Sequence, residues 1–521
     1  MNLRRTVAGL TGLAVALGTL LGTGFVTPAS AHGDRERMKQ VVSENAGVCG
    51  PGTSVPLVSS DNVKHVTNLP GNAGISGCFM KTAPLFVTSN LESVVVYDVS
   101  DPLAPEAVGS MPSAQFENEA MNCGERRTSD GVRRFVMIGV DLYQASPDDL
   151  DHVNVAGGNE LIVVDVTDPT NPHVASRAPG TTSTHTVTCV SATDCRFAYS
   201  AGGRETFSVF DLRNLDEPKE VDANPAEEGV QPYSSPTGGH KWNMDNAGFA
   251  SHTGYNGAAL FDVSKPMKPR LVTTSGRAGK GSDPDYEGWN DFILHNSFRP
   301  NAKDFRPNAK PSFANGNILL VTEEDYEQTD CSLAGSFQTW WVKRLSTKGK
   351  ARTAIKPLDK VELSDLGNYV PPVGGFCSSH WFSYHPSGVV AVGYYGGGTQ
   401  FVDVRNPKKL SSYGHATWPG SEVWDAYWAP KYDKSGTDTG KLTNLVYAVD
   451  LVRGLDVYSV DLPGKRAAAN AVPLGADSGF GELAWPREGL PVSLVLLALV
   501  GAAWMRRLAS VRTMRARATQ M

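Results

Sequence analysis

Five residues whose side chains bind metals or transfer protons stand at the start of short apolar segments along this chain. Imidazole and carboxylate groups together suit a first-row transition metal, and imidazole also titrates near neutral pH. The sequence has only 11 histidines, so their recurrence in equivalent places is more than composition explains. The five residues are Glu119, His185, His240, His295 and His380.

A repeated phrase indicates which elements position these residues. A β-branched strand ends in aspartate, a turn that usually contains proline follows, and a further strand comes after the turn. The phrase supplies the third and fourth strands of a four-stranded unit, and two apolar segments before it supply the first and second. The five candidates fall where first strands begin. Copies of the phrase occupy residues 93–112, 161–169, 207–214, 259–266 and 400–407.

Seven such units can be laid out, and the two ends of the array complement each other. The seventh unit has only three strands, whereas residues 63–69 look like a fourth strand without its first three. If this N-terminal strand completes the last unit, a ring closes and no sheet edge is exposed. We therefore predict an all-β, seven-bladed β-propeller over residues 61–463. Its innermost strands would line an axial channel, with the five candidates around one mouth.

The repeated phrase, Leu/Ile-Val-Val-Asp-Val-Thr/Ser-Asp-Pro, resembles that of the LVIVD-repeat proteins, which are exported bacterial β-propellers often without an assigned activity. The resemblance covers residues 61 to about 463 and implies the propeller fold rather than a function. The histidine set is also similar in kind to that of the selenium-binding and methanethiol-oxidase family, in which a propeller carries functional histidines around copper. No residue role is transferred from either family.

Both ends of the chain indicate export and anchoring. Residues 1–31 have an arginine pair, an apolar stretch and a small-residue cleavage site, which is typical of a signal peptide. Residues 489–505 are apolar and are followed by a basic tail, 506–521, so we predict a transmembrane anchor with its C-terminus inside. Residues 32–60 would form an N-terminal arm and 464–488 a linker. The predicted location is the cell membrane, single-pass, with the propeller outside.

Charge and cysteine content indicate which partners and which cellular compartment to expect. The chain carries 54 acidic and 48 basic residues, and seven of the arginines lie in the two terminal segments, so nucleic acid is not an expected partner. Seven cysteines in an exported chain predict disulfides. We expect Cys189 to pair with Cys195 across one hairpin, and Cys331 with Cys377 between neighbouring blades. Two of Cys49, Cys78 and Cys123 should also pair, with Cys49 expected to clamp the N-terminal arm.

Three interpretations of the five candidates remain open. Polar residues at the start of inner strands can simply cap strands and hold channel water. Alternatively, the channel face binds a protein, a glycan or a small ligand. A third interpretation is a metal-dependent enzyme, an oxidase or a hydrolase, with a divalent transition metal on the four histidines and an acidic base. The loops between second and third strands face the same way and offer further polar residues. These are Glu92, Asp141, Arg204, Glu205, Tyr255, Glu323, Glu324, Asp325, Tyr394, Tyr395, Asp450 and Arg453. Because His240 and His380 lie two repeats apart, channel width decides whether one ion can reach both.

Overall fold

The computed structural model describes residues 57–464, except 72–73, 91–92, 113–118, 120, 140–158, 203–204, 281–283, 287–288, 290–291, 326–330, 347, 368–376 and 421. All described residues belong to one compact unit, Met1–Pro473. The predicted signal peptide, the anchor at 489–505 and the basic tail lie outside them, as does the linker apart from Gly464. None of the helices in the described part has the length and apolar character to cross a membrane.

Short antiparallel strands account for nearly all regular structure in the first half of the described chain. Two strands precede the first complete blade: β1 (Val58–Ser59) and β2 (Val63–Leu69). The first blade contains β3 (Gly74–Phe79), β4 (Leu85–Asn90), β5 (Ser93–Asp98) and β6 (Glu106–Pro112). The second contains β7 (Asn122–Thr128), β8 (Gly131–Gly139), β9 (Glu160–Asp165) and β10 (His173–Pro179). The third region contains β11 (Thr186–Cys189), β12 (Phe197–Ala201), β13 (Thr206–Phe207), β14 (Val209–Asp211), β15 (Lys219–Glu220) and β16 (Tyr233–Ser234).

The second half continues the same pattern. The fourth blade contains β17 (Gly239–Met244), β18 (Phe249–Gly254), β19 (Gly257–Asp262) and β20 (Arg270–Thr274). The fifth contains β21 (Ile293–Phe298), β22 (Ile318–Glu324), β23 (Phe337–Val342) and β24 (Ile355–Val361). The sixth contains β25 (Phe382–His385), β26 (Val389–Gly393), β27 (Thr399–Asp403) and β28 (Ser411–Thr417), and the seventh β29 (Val423–Tyr432), β30 (Asp438–Asp450) and β31 (Gly454–Val460). The helices are 3-10 turns at Pro284–Tyr286, Ala302–Asp304, Phe313–Asn315 and Gly349–Arg352, and an α-helical turn at Leu363–Leu366.

These strands form a closed seven-bladed β-propeller, as predicted. Seven antiparallel sheets have four or five strands each, and β13 pairs with β16 in a separate ribbon. The N-terminal strand β2 pairs with β31 and completes the seventh sheet in the order β2-β31-β30-β29. Strand β1 lies within the segment assigned to an N-terminal arm, and it adds a fifth strand to the sixth sheet by pairing with β28. Neighbouring strands within each blade run antiparallel, so no crossover helix is needed to join them.

Apolar clusters between neighbouring blades hold the ring together. Strand β5 shows the reason, because its side chains alternate between two interfaces. Val94 and Val96 pack into the cluster between the first and second blades, whereas Val95 and Tyr97 pack against the seventh. Both faces of such a strand are buried, so the repeated phrase is an uninterrupted apolar run rather than an alternating one. Each successive pair of sheets shares one such cluster, and the last cluster returns to the first blade.

The aspartate of the phrase closes the turn to the outer strand. In each copy its carboxylate accepts a hydrogen bond from the backbone N–H two residues later, as in Asp98 with Ser100 at 2.8 Å and Asp262 with Ser264 at 3.1 Å. This is an Asx turn, in which a side chain replaces a backbone acceptor. The Ser264 hydroxyl and Arg270 also hold the pKa of Asp262 below its ordinary value. The phrase therefore builds the outer part of each blade.

The disulfides agree with two predicted pairs and correct a third expectation. Cys189–Cys195 and Cys331–Cys377 are both formed, with Cα atoms 5.7 Å and 5.4 Å apart. The third disulfide joins Cys78 to Cys123, which confirms that two of the three remaining cysteines pair. Neither of these two can then bond Cys49, so the expected clamp through Cys49 to one of them was wrong. Cys78 and Cys123 lie on inner strands of adjacent blades, with Cα atoms 5.7 Å apart, whereas Cys49 lies outside the described residues.

Candidate metal centre

Inner strands of successive blades bring all five predicted site residues to one place. His240 and His295 lie within the first half of β17 and β21, whereas His185 immediately precedes β11. Glu119 and His380 lie in the segments that lead into β7 and β25. These inner strands stand next to one another around the propeller axis, so residues far apart in sequence meet there. Each of the five side chains is at most 4% exposed.

The carboxylate of Glu119 lies at the centre of the four imidazoles. Its Oε1 atom is 2.7 Å from His295 Nε2 and 3.2 Å from His380 Nε2. Its Oε2 atom contacts His185 Nε2 and lies 3.7 Å from His240 Nε2. The same nitrogen of every ring therefore points toward one carboxylate. His240 and His380, which lie two repeats apart, both face this carboxylate, although they belong to different sets of ligand atoms within 4.8 Å of one another.

The histidine rings form a continuous arc. Ring centres of His185 and His240 are 4.8 Å apart, those of His240 and His295 are 4.1 Å apart, and those of His295 and His380 are 4.2 Å apart. The Nε2 atoms of His185 and His240 approach to 3.1 Å. Two ligand atoms that each lie about 2.1 Å from one ion are separated by roughly 3.0–3.4 Å at right-angled or tetrahedral geometry. This spacing fits adjacent ligands on a single metal ion.

The backbone determines which nitrogen of His380 points inward. Its Nδ1 atom lies 2.8 Å from the carbonyl oxygen of Trp424, which can only accept, so Nδ1 carries the hydrogen and donates. In the neutral ring Nε2 then offers a lone pair, and it faces the Glu119 carboxylate at 3.2 Å. Two lone pairs facing each other are stabilised when a cation or a proton lies between them. A backbone carbonyl that orients a histidine in this way is common behind metal ligands.

A second carboxylate and a tyrosine border the arc. The side chain of Glu324 has Oε2 3.6 Å from His295 Nε2 and Oε1 4.0 Å from His380 Nε2. The Tyr395 hydroxyl donates a hydrogen bond to Glu324 Oε1, and its ring centre is 4.7 Å from that of His380. Tyr395 has φ 46°, which is unusual for a residue with a side chain. Such backbone strain often accompanies functional sites.

Two sets of buried ligand atoms satisfy the distance requirement for a metal ion. Glu119, His240 and His295 offer atoms within 4.8 Å of one another, and so do His295, Glu324 and His380. The sets share His295, so they describe two overlapping positions along one arc. Nitrogen-rich ligands with carboxylates suit zinc, copper, iron and nickel, and suit magnesium or calcium poorly.

Sequence reasoning did not identify three residues that lie beside this arc. Trp381 has its ring centre 4.3 Å from that of His295, and the Lys241 Nζ atom lies 5.1 Å from the Trp381 ring centre. Burial lowers the pKa of Lys241 to about 8, against the opposing effect of Glu119 and Asp425. Burial also raises the pKa of Asp425 to about 7, and Glu119 adds to this rise. The sequence signal that could have identified Lys241 and Trp381 was their position, because each directly follows a predicted site histidine.

Comparisons with known proteins do not identify a family for this chain. No protein-family model matches the chain, and no curated protein matches it. One similar solved structure is the β-propeller domain of Cps50 (Swd1) from Myceliophteria thermophila. It is 11% identical, with a TM-score of 0.45, and the match covers 76% of this chain and 99% of that one.

Proposed function

We propose that this protein is a metalloprotein whose propeller holds one divalent first-row transition metal ion at the axis and uses it on a small molecule. The convergence of four imidazole Nε2 atoms on the Glu119 carboxylate carries the proposal. A bound ion of this class would supply Lewis-acid or redox chemistry. The protein would contribute a rigid, nearly water-free ligand set, because each ligand is attached to a different blade of a closed ring.

Electrostatics favours an ion over a purely structural role for the arc. Glu119 and Glu324 are both 0% exposed, and two buried carboxylates so close together need positive charge nearby. Neutral imidazoles supply no positive charge and the nearby Lys241 ammonium group supplies one, whereas a divalent cation held by the arc compensates both carboxylates at once. Water capping alone, the structural interpretation, leaves this charge balance unexplained.

Metal analysis of natively purified protein tests the proposal. We expect about one transition-metal ion per chain, and we expect the His240→Ala/His380→Ala double variant to lose it while the ring stays folded by circular dichroism. His415→Ala is the matched control, since His415 is also buried but lies on outer strand β28, and it should keep the metal. Metal that stays well below one per chain, even after reconstitution, would refute the proposal. Metal retained by the double variant would place the site elsewhere.

We further propose that the propeller is displayed outside the cell on a C-terminal membrane anchor, and that it belongs with the LVIVD-repeat proteins. The apolar segment 489–505 with its basic tail supports anchoring, and the repeated strand-and-turn phrase supports the kinship. A chain that ends before residue 489 should appear in the soluble fraction, whereas the full chain should sediment with membranes. Equal partitioning of the two chains would contradict the anchor.

Binding of a protein or glycan at the same channel face is the second candidate function. It is supported by the frequent use of propellers as binding scaffolds. The two candidates differ in one measurement, because a binding face needs no stoichiometric metal.

A further inference from the structure

The ammonium group of Lys241 is buried beside the candidate metal centre. Lys241 directly follows His240 in β17 and is 6% exposed. Its Nζ atom lies 5.1 Å from the centre of the Trp381 ring, and that ring lies 4.3 Å from the His295 ring. A single indole therefore borders both the ammonium group and the histidine arc.

This ammonium group has no counterion in direct contact. Within the described part of the chain, the side chain of Lys241 makes no hydrogen bond and has no carboxylate within 4.0 Å of Nζ. The nearest carboxylates, Glu119 and Asp425, act on it only at longer range. Burial of most of this side chain disfavours its charged form, and contact with an indole face offsets only a part of this cost. The Nζ atom itself is not fully buried, so a ligand can reach it.

The nearby acidic residue Asp425 is not the counterion of the Lys241 ammonium group. Asp425 lies on β29 and is 4% exposed. Its Oδ1 atom accepts a hydrogen bond from the backbone N–H of Ala426 at 2.7 Å, and Tyr427 also donates to its carboxyl group. The carboxyl group of Asp425 is thus bound by its own strand. Glu119 and Asp425 therefore attract the Lys241 ammonium group without touching it, and an anionic ligand would supply the direct contact that they do not make.

We propose that Lys241 anchors the carboxylate of a small organic acid, which is the substrate class of the metal centre. The ammonium group and the His295 ring both lie beside the same indole ring, so a small molecule that lies along this ring would contact the two. Lys241 would hold the anionic end by a charge-assisted hydrogen bond, and the opposite end would face the arc. This proposal rests on the proposed metal centre, which supplies the reactive end of the site.

Binding of acetate and benzoate to the full chain tests the anchor. Calorimetric titrations would compare the unmodified protein with Lys241→Met, and metal content would be measured in every sample. We expect saturable carboxylate binding that Lys241→Met weakens roughly 10- to 100-fold, the usual effect of losing a hydrogen bond to a charged group. Lys343→Met is the matched control, because Lys343 lies 5.4 Å from the centre of the Trp341 ring outside the channel. It should bind carboxylates as the unmodified protein does.

The outcomes distinguish a failure of the Lys241 proposal from a failure of the proposed metal centre. Equal carboxylate affinity in Lys241→Met and the unmodified protein, or no saturable binding by the unmodified protein, would overturn the anchor. Tighter binding of phosphate than of either carboxylate would also overturn it. Metal-free protein that still binds carboxylates through Lys241 would reject the metal centre and keep the anchor. If Lys241→Met does not fold, Lys241→Gln replaces it, because Gln retains a polar end without the charge.

Discussion

His252 makes the stability of this propeller depend on pH in a way that can be calculated. Its ring is 0% exposed and stacks on Trp242 with ring centres 3.9 Å apart. The hydroxyl groups of Ser235 and Thr237 lie 2.6 Å and 2.9 Å from its Nδ1 atom. Burial lowers the pKa of His252 from 6.5 to about 3, so the folded protein keeps this ring neutral where the unfolded chain would protonate it.

The direction and the size of the pH dependence of stability follow from these two pKa values. The stabilisation is complete above pH 6.5 and is lost as the pH falls from 6.5 toward 3, because the unfolded state then binds the additional proton. Between pH 8 and pH 5 the loss is about 2 kcal/mol, since each pKa unit corresponds to about 1.4 kcal/mol. His252→Asn places a side-chain polar atom near the two hydroxyl groups and removes the titrating ring. We expect it to be less stable than the unmodified protein at pH 8 and to lose about 2 kcal/mol less at pH 5.

Denaturant unfolding of metal-free protein with intact disulfides measures this difference. Removing metal from every sample prevents the histidine arc from adding a pH-dependent binding term. His173→Gln is the control, because His173 is exposed and its replacement should leave the pH dependence unchanged. If His252→Asn and the unmodified protein lose the same free energy between pH 8 and pH 5, the reasoning from burial fails.

Two further predictions concern the ring and the site. Reducing the Cys331–Cys377 disulfide, or replacing both cysteines with Ser, should lower the free energy of unfolding by about 2–4 kcal/mol. Denaturant titration measures this change. An unchanged unfolding midpoint would show that the apolar cluster alone holds the fifth and sixth blades together. Tyr395→Phe removes the hydrogen bond to Glu324 and should weaken metal binding roughly 10- to 100-fold in a chelator competition. Tyr394→Phe should not, because Tyr394 donates instead to the carbonyl of Val361, and equal effects of both substitutions would contradict a specific role.

Much of the fold could be predicted because its determinants are local and repeated. The strand 93–98 is apolar on both faces, and the aspartate and proline after it specify the turn. Ring closure through residues 63–69 followed from matching an incomplete first unit to an incomplete last one. The ribbon of β13 and β16 and the pairing of β1 escaped prediction, because two-residue strands carry no periodic signal.

The candidate site was predictable as a set of residues but not as a geometry. Sequence spacing predicted Glu119 and the four histidines at the starts of inner strands. The structure places each of them at the start of an inner strand or just before it. It did not indicate that Glu119 would be central to the other four, or that Trp424 would orient His380 through a backbone carbonyl. Lys241 was overlooked because a single lysine within a strand has no pattern to distinguish it.

The sequence by itself therefore determined the repeat, the seven-bladed closure, two disulfides and the residue types available for chemistry. Each of these depends on local propensity or on a repetition that is visible along the chain. Only the tertiary structure decided which side chains meet, because the approach of Glu119 to four imidazoles depends on how the blades pack around the axis. That packing is set by the apolar clusters between blades, each of which joins residues from two different repeats.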